Sequence, residues 1–91
     1  MKRIKILFRK NLKMSESKLA AQCVHAALGL DQSSIENINA LMSVVVLGIS
    51  DKKFDEQKNA EGNRYLVRDA GYTEVAPGTE TCLAFLEEDV R

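Results

Sequence analysis

The sequence predicts a small α/β domain, four short strands with helices between them in the order β-α-α-β-α-β-β. Three observations carry that expectation. Residues 3–9 alternate polar and apolar and then run apolar, and residues 43–49 form a β-branched run of strand length that holds Val44, Val45 and Val46 in succession. Residues 18–30 are rich in Ala and Leu at helical spacing. A chain of 91 residues, 45% hydrophobic, suits one core and a single domain over 1–91, and is too short for a two-domain enzyme.

In chain order, residues 3–9 alternate polar and apolar before turning apolar, as a strand with one well-buried face would. Ser15 or Ser17 can cap the first helix, and Glu16 suits its positive N-terminal turn. Along that helix Leu19, Cys23, Ala26 and Leu30 form a packing stripe, while Lys18, Gln22, His25 and Gly29 share a second stripe. Ser33 and Ser34 can cap a short second helix through Leu41, with Ile35 and Ile38 inward. The valine run at 43–49 reads as a central strand covered on both faces. Residues 51–61 hold helix formers but few apolar anchors, chiefly Phe54, and Gly62-Asn63 closes that helix. Residues 65–68 and 81–86 are the remaining strands, separated by a loop in which Pro77-Gly78 fits the centre of a type II turn.

Charge and composition exclude several classes. Basic and acidic residues number 13 each, so the net charge is zero, but up to Lys18 there are seven cations against Glu16 alone. A polyanion would therefore be steered by the N-terminal part, with Lys13 well placed for it. No run approaches the roughly 20 apolar residues of a membrane span, and no signal-like stretch opens the chain, so the expectation is a cytoplasmic protein without a membrane partner. Cys23 and Cys82 lie outside any paired motif and are expected as reduced, packed thiols. One histidine without clustered ligands gives no support for a metal.

Sites in open α/β sheets gather in loops at strand ends, which points to residues 13–18 and 69–79. There the sequence resembles the type II, archaeal and eukaryotic peptidyl-tRNA hydrolases. The match lies in Leu12-Lys13-Met14, in Lys18-Leu-Ala-Ala-Gln22-Cys-Val-His25-Ala-Ala, in Asp69-Ala-Gly71-x-Thr73-Glu74, and in Pro77-Gly78-Thr79-x-Thr81-Cys-Leu-Ala. Each motif alone is weak; in this order, around a valine-rich strand, they are specific. The resemblance implies a four-stranded mixed sheet packed by helices, commonly dimeric, that hydrolyses the ester between a peptide and the terminal ribose of tRNA at the acceptor end, with no metal or organic cofactor. It places the family's functional lysine on Lys18, its aspartate on Asp69 and its threonines on Thr73 and Thr81, with Gln22 and His25 in the helix motif. Serines stand at 15 and 17 where the family usually has glycines, Tyr72 stands where a basic residue is common, and the middle is abbreviated.

Ester hydrolysis needs a positioned water, a route for its proton and donors for the oxyanion. Lys18, a cation at neutral pH, can serve the oxyanion or a phosphate, and otherwise is a solvated helix-start lysine. Asp69 can orient water or act as base, or simply bond loop amides. Thr81 completes the catalytic set. Lys13, Gln22, His25, Tyr72, Thr73 and Thr79 are the substrate-binding candidates, Tyr72 as a platform for the terminal adenine. Cys23 and His25, two apart on a helix, cannot form a nucleophile pair. The alternative to the hydrolase is a non-catalytic, reduced homologue that binds an RNA end or a protein partner.

Overall fold

The computed structural model describes residues 2–32, 41–70 and 75–88. Its element order is β1 (Lys2–Arg9), α1 (Glu16–Gly29), β2 (Leu41–Ile49), α2 (Asp51–Lys58), β3 (Arg64–Arg68) and β4 (Glu80–Glu87). The strands form one mixed sheet in the order β2-β1-β4-β3. β1 runs parallel to β2 and antiparallel to β4, which is antiparallel to β3. A parallel pair cannot be joined by a tight turn, so the chain between β1 and β2 must cross the sheet, and α1 lies on that crossover. The short helix expected from Ser33 falls on residues outside those described, apart from Leu41, which already belongs to β2.

Ser15 starts α1 by accepting from the Lys18 backbone N–H at 3.2 Å. The helix then lays Ala26 and Leu30 into a core with Ile4, Ile6, Val67, Cys82 and Ala84, with Leu19 and Cys23 packed alongside. This is the stripe expected from the sequence. α2 is on the opposite face, anchored by Phe54, which is 1% exposed, and facing Lys5, Leu7 and Leu47 through Lys53, Glu56 and Gln57. Among the described residues, no helix is long and apolar enough to cross a membrane.

β2 departs from expectation. It is an edge strand rather than a central one, and Val44, Val46 and Leu47 are 56%, 45% and 42% exposed. A β-branched run favours extended backbone wherever the strand lies, so composition alone could not place it in the sheet.

A second irregularity bears on function. Val67 pairs with Cys82 but Arg68 pairs with Glu80, so Thr81 has no residue opposite it on β3. An extra residue of this kind interrupts the in-out alternation of a strand. The consecutive Thr81 and Cys82 both turn toward α1, Thr81 to bond Gln22 and Cys82 to join the cluster around Ala26.

Candidate active site

The first turns of α1, the start of the 69–79 loop and the start of β4 converge on one buried polar cluster. Lys18 and Gln22, one turn apart on α1, both reach Asp69, which follows β3. Lys18 Nζ lies 2.5 Å from Asp69 Oδ1, and Gln22 Nε2 donates to the same oxygen at 3.2 Å. Thr81 Oγ1 donates to Gln22 Oε1 at 2.6 Å. The side chains of Lys18 and Asp69 are only 10% and 7% exposed, and Thr81 is 0% exposed. Two opposite charges with so little water interact far more strongly than a surface pair. The loop is tied at its base: the Asp69 N–H donates to Thr79 O at 2.9 Å, and the Gly78 N–H to Asp69 O at 2.7 Å. Gly78 sits at φ +80°, the left-handed position that a type II turn demands after Pro77. Asp69, the first residue of this loop, thus lies at the Lys18 end of α1.

A family profile described as "Peptidyl-tRNA hydrolase PTH2" matches residues 3–89. The chain belongs to the peptidyl-tRNA hydrolase PTH2 family. It is 36% identical to a peptidyl-tRNA hydrolase of Methanothermobacter thermautotrophicus, over 92% of this chain and 84% of that one. It is 39% identical to one of Methanopyrus kandleri, over 86% and 78%. A probable peptidyl-tRNA hydrolase 2 of Drosophila melanogaster is 32% identical over 87% of this chain and 50% of its own length.

Other residues that the PTH2 motifs single out are placed differently. Gln22, read from the sequence as a substrate contact, is 7% exposed, with its amide engaged at both ends by Asp69 and Thr81. His25 does not join the ion pair; it is exposed on α1 and its ring lies 5.9 Å from that of Tyr65. Thr79 spends its hydroxyl inside the loop, on Ala76 O at 2.7 Å. Lys13 is exposed in the segment before α1. Tyr72 and Thr73 lie outside the described residues. Cys23 and Cys82 are free thiols that face one another across α1 and β4, and burial pushes both up, Cys82 to about 12. Neither is a thiolate nucleophile near neutral pH. Among the described residues, no three of His, Cys, Asp or Glu gather as metal ligands would.

Tyr65 carries a role that sequence reasoning missed. A Cβ on Gly29 would collide with its ring, so the glycine lets Tyr65 pack directly on α1 beside His25. The signal was a glycine inside a helix, four residues after His25. The second stripe thus divides, with Lys18 and Gln22 serving the polar cluster and His25 and Gly29 meeting Tyr65.

Proposed function

We propose that this chain hydrolyses peptidyl-tRNA, cleaving the ester between the peptide and the terminal ribose. Water adds to the ester carbonyl carbon, the bond to the ribose oxygen breaks, one water proton ends on that oxygen and the other passes to solvent as the new carboxyl ionises, releasing tRNA and a peptide carboxylate. The observation that carries the reading is the Lys18–Asp69 pair, buried at the helix start in a chain of the PTH2 family. An ammonium held in a water-poor site is suited to the negative charge of a tetrahedral intermediate, whereas the exposed Lys13 is suited to a phosphate. Asp69, its Oδ1 engaged by both Lys18 and Gln22, is held in place and acts by orienting the attacking water. Thr73 and Tyr72 complete the substrate side, and Thr79 shapes the loop.

The protein acts in the cytoplasm as a homodimer. Exposed Val24, Leu28, Val44 and Val46, on α1 and β2, support an apolar interface. Sedimentation of wild type and Leu28→Glu tests the dimer: a monomer in both sinks it. The activity is tested by deacylation of a purified peptidyl-tRNA. Lys18→Met and Asp69→Asn should each cut turnover by about 100-fold or more while far-ultraviolet circular dichroism still shows a folded chain. Binding of acceptor-end RNA without turnover by wild type would replace the hydrolase with a binding module.

A further inference from the structure

We infer that Thr81 is a positioning residue that acts on Asp69 through Gln22, and that neither Thr81 nor Gln22 touches the substrate. Asp69 sets the direction of the whole chain of bonds. Its ionised carboxylate only accepts hydrogen bonds, so the Gln22 atom facing Oδ1 at 3.2 Å is the amide nitrogen. That fixes the other end of the amide: Oε1 faces Thr81 at 2.6 Å and also only accepts, so the Thr81 hydroxyl commits its one proton there. With that proton spent, Thr81 has none to donate to a water or a ribose, and at 0% exposure its remaining lone pair is closed to them. What it controls is the direction of the amide. A Gln22 amide turned by half a revolution would set its oxygen against the carboxylate and its nitrogen against the hydroxyl, so the Thr81 donor holds the orientation in which Gln22 Nε2 donates to Asp69 beside Lys18. The register shift that turns Thr81 toward α1 is what makes the relay possible.

The kinetic test rests on the hydrolase reading and is a double-mutant cycle on the full chain. Thr81→Val keeps the shape and removes the proton; it should lower kcat about 10- to 100-fold with KM held within about twofold. Thr81→Ser, which keeps the donor, should recover most of the loss. Gln22→Met should be as poor as Thr81→Val, and adding Thr81→Val to Gln22→Met should cost nothing more. Losses that multiply in the double variant, as a threonine touching substrate predicts, or a serine no better than valine, as a purely packing role predicts, overturn the relay. A second measurement needs no turnover. In the ¹⁵N-labelled protein, Thr81→Val should shift the two side-chain amide protons of Gln22 and hasten their exchange with solvent, and Thr81→Ser should not. Unmoved Gln22 signals in Thr81→Val overturn the relay whatever the enzyme does. Signals that move as expected in a protein that hydrolyses nothing overturn the hydrolase reading alone.

Discussion

At the scale of single residues, the charges of the site are also structural. Lys18 and Asp69 are both about nine-tenths buried, and removing one member of such a pair strands the other charge in a poorly solvated place, at a cost on the order of 3 kcal/mol or more. Lys18→Ala should therefore lose stability as well as activity, which urea unfolding of the variant will show. The double variant Lys18→Met/Asp69→Leu, with no buried charge, should regain much of that stability with no activity. A Lys18→Ala protein as stable as wild type would mean that the pair is well hydrated.

At the scale of elements, the docking of α1 on β3 depends on the gap that Gly29 leaves for Tyr65. Gly29→Ala raises intrinsic helix propensity by about 1 kcal/mol but drives a methyl group into the ring, and overpacking costs about 1–3 kcal/mol. The melting temperature of Gly29→Ala should fall. In a Tyr65→Val background the same substitution should become neutral or stabilising. A fall of equal size in both backgrounds would show that Tyr65 is not what the glycine accommodates.

At the scale of the whole molecule, charges that are basic in sequence are neutralised in space. Arg3 and Lys5 both reach Glu87, at 2.6 and 3.5 Å, Arg9 reaches Asp51 at 3.0 Å, and Lys2 reaches Glu88 at 3.6 Å. The Arg3 guanidinium, with help from Lys5, holds the Glu87 carboxyl below its usual 4.5. A depressed carboxylate contributes stability above its unfolded value and loses it as pH falls through the folded one. Wild type should thus lose its advantage over Glu87→Gln on acidification from about pH 5 downward, as melting curves across pH will report; a constant difference would exclude the linkage. The field left for RNA is correspondingly narrow, with Lys10 and Lys13 exposed before α1. Affinity for acceptor-end RNA should fall by about 0.7 to 0.9 logarithmic units per decade of salt for each phosphate contacted, with a slope of only a few contacts. Lys13→Glu should weaken binding more than Lys52→Glu on α2; equal losses would remove the proposed footprint.

The sequence by itself determined the four strands, the helix from Ser15, the turn at Pro77-Gly78 and the family, because these rest on local chemistry: alternation, capping hydroxyls, a glycine in a left-handed turn, and motif residues in a set order. It also brought Lys18 and Asp69 to one place. Only the tertiary structure decided that β2 lies at the sheet edge, because a run of valines is compatible with any place in a sheet. Only it placed His25 against Tyr65 instead of at the ion pair, and turned Thr81 inward. Alternation would have sent Thr81 and Cys82 to opposite faces, and the pairing that removes that alternation is made with β3, a contact between segments that no local pattern encodes.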